Sequence, residues 1–218
     1  MKCEVCGQEY GLSHNCAGPL SAAAQSVASA DMAAPVGAGL GYYLRESWKI
    51  VRWDDLAIRR NSKDPSATLY GVIIWLASIF VIMGVQTYPA LKIRVPNAPP
   101  VAMAIGLFVA IIFGMIVLGV ITFVQLGLCH LIAKMIFGAS GKFIEVMRPL
   151  LMGWFVNCLI LIPVAGLWLA SIGWTAVLMM VFEEVDGIGR LQAFGISAGI
   201  NFCFLALQLG MTPVTHHL

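Results

Sequence analysis

Residues 95–133 read VPNAPPVAMAIGLFVAIIFGMIVLGVITFVQLGLCHLIA, a run without one Asp, Glu, Lys or Arg. A helix needs about 20 apolar residues, at ~1.5 Å each, to cross the hydrocarbon core of a bilayer. This stretch has residues to spare. Three more windows are equally free of those charges: 65–91, 149–182 and 191–218. Each is long enough to span. Inside lipid every backbone polar group must be satisfied internally, so runs this long and uniformly apolar read as helices rather than barrel strands.

Composition agrees. Of 218 residues, 60% are hydrophobic and 11% charged, and the mean hydropathy is +0.88. Soluble domains carry about 25% charged residues, and this chain has too few to build a water-facing surface. The fold class is an all-α membrane protein. A net charge of +2 is too small to point to a nucleic-acid partner.

The spacing of Pro and Gly sets the spans. The first covers 67–88 and is closed by Pro89. The second follows the Pro96, Pro99, Pro100 cluster and runs from 101 to 137, longer than the bilayer is thick. It therefore tilts and projects at its Lys134 end. Pro163 and Gly166 split the third window into a hairpin, 143–162 and 165–185, and the last span is 190–210. Five spans result, within a membrane domain of residues 65–210 and with a tail at 211–218. A four-span arrangement with a re-entrant hairpin competes.

Orientation follows the basic residues. Arg45, Lys49, Arg52, Arg59, Arg60 and Lys63 precede the first span, whereas the next loop has only Lys92 and Arg94. Lys134, Lys142 and Arg148 follow the second span, the hairpin turn has none, and Arg190 stands before the last. High and low alternate, which places the N-terminus in the cytoplasm and the C-terminus outside, in a bacterial inner membrane. No apolar run follows Met1–Cys6, so the first span doubles as the targeting signal.

The polar N-terminal part divides in three. Residues 1–18 hold Cys3, Cys6, His14 and Cys16. Cys-x2-Cys presents two zinc ligands from one turn, with Gly7 suited to that turn, and His14 and Cys16 supply the other two. Four protein ligands make the zinc structural. A disulfide with a leftover thiol is the competing reading, disfavoured at a reducing cytoplasmic end. Residues 19–41, rich in Ala, Gly, Ser and Pro, read as a flexible linker. Residues 42–61 mix Trp48, Ile50, Val51, Trp53, Leu56 and Ile58 with basic residues and read as one amphipathic helix at the bilayer surface.

Within the spans, Ala102, Gly106, Ala110 and Gly114 form a ridge of small residues, echoed by Gly195 and Gly199 and by Gly166 and Ala170. Cys129, Cys158 and Cys203 read as small hydrophobes. His130, Glu183 and Glu184 are the ionisable candidates at membrane depth, and His130 is placed to meet Glu183 or Glu184. Such a group serves an ion path, a proton relay or a cofactor ligand, or simply locks the bundle. No phosphate loop or nucleophile elbow occurs, and the chain reads as no enzyme.

An ordered set of residues resembles the Yip domain family, the Ypt/Rab-interacting multispan proteins. It comprises His130-Leu-Ile-Ala-Lys134-Met-Ile-Phe-Gly138-Ala-Ser-Gly141-Lys-Phe143, Pro163 with Trp174, Glu184-Val-Asp-Gly187-Ile, and Arg190-Leu-Gln-Ala193. The likeness extends over roughly residues 56–209. It implies a five-span bundle with a cytoplasmic N-terminus and, as in eukaryotic members, a trafficking role beside small GTPases. Asp186 stands where many relatives have histidine, and the zinc-like head lies outside the shared domain, so that role is not carried over by residue. The reading is a non-enzymatic membrane scaffold or adaptor. Its partners are the lipid bilayer, an unidentified protein, and copies of itself or a larger complex. A small transporter or channel with a His130/Glu184 polar path, or an accessory subunit, are the alternatives. The purified chain is expected to carry one zinc per molecule, lost on Cys3→Ser; elemental analysis finding no metal beside intact thiols would reject the site.

Overall fold

The computed structural model describes residues 35 and 37–211, with side chains through Ala206. The Cys3, Cys6, His14, Cys16 head, most of the linker and all of the tail beyond Met211 lie outside the described residues. Those that are described form helices and no strand. In chain order they are α1 (Leu40–Val51), α2 (Asp55–Lys63), α3 (Ser66–Arg94), α4 (Pro100–Phe137), α5 (Phe143–Gly153), α6 (Gly166–Asp186) and α7 (Arg190–Met211). A 3-10 segment, Trp154–Leu161, continues α5.

Four of these stretches are long and apolar enough to cross a membrane: Ser66–Arg94, Pro100–Phe137, Phe143–Leu161 and Gly166–Asp186. This is the architecture of a multi-pass membrane protein. The outer surface bears it out most clearly on α4, where Val101, Ile105, Phe108, Ile112, Phe113, Ile116, Val120 and Phe123 all stand exposed. That apolar face is roughly 35 Å long, far beyond the patches a soluble monomer exposes. The inward face of α4 is one stripe of the helix and carries Ile111, Gly114, Thr122, Gln125, Leu126, Cys129 and Ala133. α6 is the most enclosed of the long helices, with 56% of its apolar window buried against 17% for α4.

Two boundaries differ from the sequence reading. Pro89 does not close α3, which continues to Arg94. A proline inside a helix forgoes one hydrogen bond to the carbonyl four residues back, and here the loss falls in the exposed last turns. The predicted helix over 143–162 is α-helical only to Gly153 and then tightens into the 3-10 segment. At ~2.0 Å rise per residue the tighter winding lengthens the element, so Phe143–Leu161 reaches about 32 Å, enough for the hydrocarbon core.

Residues 42–61 also differ, holding two helices instead of one. Trp53 takes φ 64° and Asp54 caps α2 by accepting from the Ala57 amide at 3.0 Å, so the chain turns a corner there. An Asp side chain that satisfies a first-turn N–H begins a new helix more readily than it continues an old one. Trp48, Trp53 and Leu56 stay exposed, while Tyr43, Ile50, Ala57 and Ile58 are buried against the bundle. The pair forms a cap over the end of the bundle where α3 begins, α4 ends, α5 begins and α6 ends.

Small residues permit close packing, though not all those of the expected ridges. Gly114 receives the Met83 side chain, and Gly119 the Trp75 ring. Gly106, Gly195 and Gly199 face open space. At the hairpin turn a Cβ on Gly166 would lie 2.5 Å from the Leu159 carbonyl oxygen and 2.7 Å from that of Ile160. Gly166→Ala is therefore expected to destabilise the protein by about 1–3 kcal/mol, whereas Gly195→Ala leaves it within about 0.5 kcal/mol. Equal thermal stability of the two variants in detergent would contradict this account of the turn.

Candidate functional site

Several charged residues of the cap end are paired across elements. Glu46, only 1% exposed, accepts from Arg60 at 2.8 Å, from Asn61 at 3.2 Å and from Lys49 at 2.8 Å. Three donors offset the cost of taking one carboxylate out of water. From α5, Arg148 donates to the Ser62 carbonyl at 2.8 Å and to the Thr68 hydroxyl at 3.1 Å, joining the end of α2 to the start of α3. Lys63 pairs with Glu145, Arg59 with Glu184 and Arg190 with Glu183. Tyr43 donates to Asp64 at 2.6 Å and stacks on Tyr70. Burial, reinforced by that hydrogen bond, holds the Tyr43 hydroxyl protonated well above the ordinary phenol range.

His130 is buried, but its partner is neither Glu183 nor Glu184. Its Nδ1 is hydrogen-bonded to Asp186 Oδ2 at 3.3 Å, with His130 8% and Asp186 1% exposed. The two glutamates point outward to their arginines because the helical turn ending α6 sends positions 183 and 184 to the rim. Asp186, two residues on, returns to the bundle interior. The loop after α4 closes over this pair. Gly138 ends α4 at φ 69°, and the Ala139 amide reaches back to the Ala133 carbonyl at 3.1 Å, the wrap a left-handed glycine permits. The Ser140 amide then bonds the Asp186 carbonyl at 3.2 Å. Gly141 lies so close to Asp186 Oδ1 that no side chain fits. Asp186 Oδ1 itself has no partner.

A second polar cluster lies deeper, and it is uncharged. Asn201 of α7 donates to the Ser171 carbonyl at 2.9 Å and to the Thr175 hydroxyl at 2.8 Å, and its oxygen accepts from Gln125 of α4 at 3.3 Å. Thr175 in turn donates to the Ser171 carbonyl at 2.8 Å. The cluster borders a cavity of about 570 Å³. α4 packs on α3 and α7 and stands off from α6, and the cavity fills the space left between them. Its wall combines Met83, Phe113, Val117, Trp154 and Trp174 with Gln125 and Asn201, and among the described residues includes no charged side chain.

His130 was singled out by its sequence. Asp186 is legible beside Glu183 and Glu184 as an acidic residue ending its span, though not as the partner of His130, and Gln125 and Asn201 escape the sequence reading. Intramembrane amides carry no charge and no spacing signature; the one available signal was a polar residue on the inward stripe of a long apolar helix. Among the described residues no group of three or more His, Cys, Asp or Glu could hold a metal ion, and Cys129, Cys158 and Cys203 are free thiols. No family model, curated protein or solved structure matches the chain.

Both members of the His130–Asp186 pair are buried, and removing one strands the other. His130→Ala is expected to cost about 3 kcal/mol of stability, and adding Asp186→Asn should recover part of that loss by removing the stranded charge. A double-mutant cycle of unfolding free energies checks it; additive single effects would show that the two groups are not coupled.

Proposed function

We propose that the chain is a non-enzymatic integral-membrane scaffold or adaptor of the Yip type. In this reading α7, about 33 Å long, joins the four other stretches as a fifth span. The N-terminus is cytoplasmic, the membrane is a bacterial inner membrane, and a zinc-stapled head on Cys3, Cys6, His14 and Cys16 hangs from the linker to meet a partner.

The observation that carries the reading is the paired cap. Ion pairs from α2 reach α5 and α6 and Glu46 of α1 pairs with Arg60 of α2, so the chain entering the bundle is fixed in position against it. A rigid mount beside a tethered head suits a protein that holds something in place. The excess of Lys and Arg at this same end, against Lys92 and Arg94 alone at the other among the described residues, supports its cytoplasmic placement. The ordered Yip-like residues supply the family.

A His130/Glu184 ion path has less behind it. The two side chains engage different partners, Asp186 and Arg59, and no charged group lines the interior cavity.

Affinity purification in mild detergent should recover a partner with the full chain and lose it when residues 1–18 are removed, the truncated form retaining its helical content. Identical partner sets from the two forms, or steady ion flux through proteoliposomes holding the intact chain, would overturn the scaffold reading.

A further inference from the structure

The cavity between α4, α6 and α7 has a chemistry of its own. Its volume of about 570 Å³ lies in the range of ligand pockets, and its wall is mainly apolar. Gln86, Asn157 and Ser171 contribute to the wall, and Thr122, Gln125 and Asn201 form its most enclosed polar group at 4%, 7% and 8% exposed. Asn201 is saturated: both its N–H groups donate and its oxygen accepts. Gln125 is not. One bond to Asn201 fixes the amide, and among the described residues its oxygen and second N–H find no partner. The Thr122 hydroxyl finds none either.

Unpaired polar groups this deep in a membrane protein are costly unless something bonds them. Water would satisfy the amide and hydroxyl but leave the apolar walls wetted. A molecule with a long hydrocarbon body and one small oxygen head satisfies both. The wall also indicates the route of entry, because Phe113 and Val117 belong at once to the cavity and to the exposed outer face of α4. The cavity thus borders the lipid. Among the described residues no Asp, Glu, Lys, Arg or His lines the wall, which argues against a charged head, since a carboxylate or phosphate would lie there without a counter-charge.

We propose that this cavity binds a neutral lipid-like alcohol, with the hydroxyl at Gln125 and Thr122 and the hydrocarbon between α4 and α6. An alcohol both donates and accepts, which matches a free amide oxygen beside a free hydroxyl. The proposal stands apart from the scaffold function and does not depend on the partner of the N-terminal head.

Trp154 and Trp174 line the cavity and report on it. The full chain in nanodiscs is titrated with 9,10-dibromostearyl alcohol, whose bromines quench tryptophan on contact. Saturable quenching is expected, and it should vanish in the Trp154→Phe/Trp174→Phe double variant, which separates it from quenching of the lipid-exposed tryptophans. Unbrominated competitors then define the head. Octadecanol or the polyprenyl alcohol geranylgeraniol should displace the probe, the stronger of the two revealing which hydrocarbon the walls prefer. Octadecane and stearate at pH 8 should be weaker by about tenfold. Gln125→Leu should lower alcohol affinity by about threefold to tenfold and leave that of octadecane unchanged. Thr122→Val, which keeps the side-chain shape, tests the same hydroxyl contact if the first variant folds poorly. Non-saturable quenching, equal competition by octadecane and octadecanol, or unchanged alcohol affinity in folded Gln125→Leu and Thr122→Val would each overturn the proposal.

Discussion

The whole structure answers to one constraint: in surroundings that solvate charge poorly, an ionised group persists only beside water or beside a partner. The described charges accordingly collect at the ends of the helices, most of them at one end. There several are paired across elements far apart in sequence, as Arg59 is with Glu184 and Lys63 with Glu145. The interior polar groups are amides and hydroxyls, which cost less to bury. The division between an ionic end and a neutral middle is the ground plan on which helix order, cap and cavity are arranged.

α6 is the element through which these parts communicate. Its last turn carries three acidic residues with three separate engagements: Glu183 to Arg190, Glu184 to the cap through Arg59, and Asp186 to His130. One turn of helix therefore touches α7, α2 and α4. Farther along, the same helix offers the Ser171 carbonyl and the Thr175 hydroxyl to Asn201. The two polar clusters occupy different depths of one frame, and the apolar layer of Val177, Leu178 and Val181 lies between them.

Much of the bundle could be read from residues alone, because length and charge-free windows are direct consequences of bilayer thickness. The long second helix and the hairpin turn at Pro163 and Gly166 belong to that part. Local backbone detail did not. Pro89 was legible as a helix breaker, yet one lost hydrogen bond near a helix end is too small a cost to stop the winding. The corner at Trp53 depends on Asp54 capping a short helix, and the alternation of apolar and basic residues around it fits one helix as well as two. At the site, His130 was visible as a rare ionisable group at depth. Its pairing with Asp186 instead of Glu183 or Glu184 turns on the angular phase of the final turn of α6, which one-dimensional spacing does not fix. The head at Cys3, Cys6, His14 and Cys16 rests on its spacing alone.

The cap also imposes an order of events during synthesis. Arg59 and Glu184 are 125 residues apart, and Arg148 follows Ser62 by 86. At about 5–20 residues per second, the ribosome delivers the glutamate roughly 6–25 s after the arginine. Glu46 and Arg60 can find each other early, Ser62 and Lys63 meet their partners once α5 is made, and Arg59 waits longest. The cap, translated before the spans, thus completes its anchorage after them, and a nascent chain stalled before α6 would hold it docked on α5 with Arg59 still unpaired.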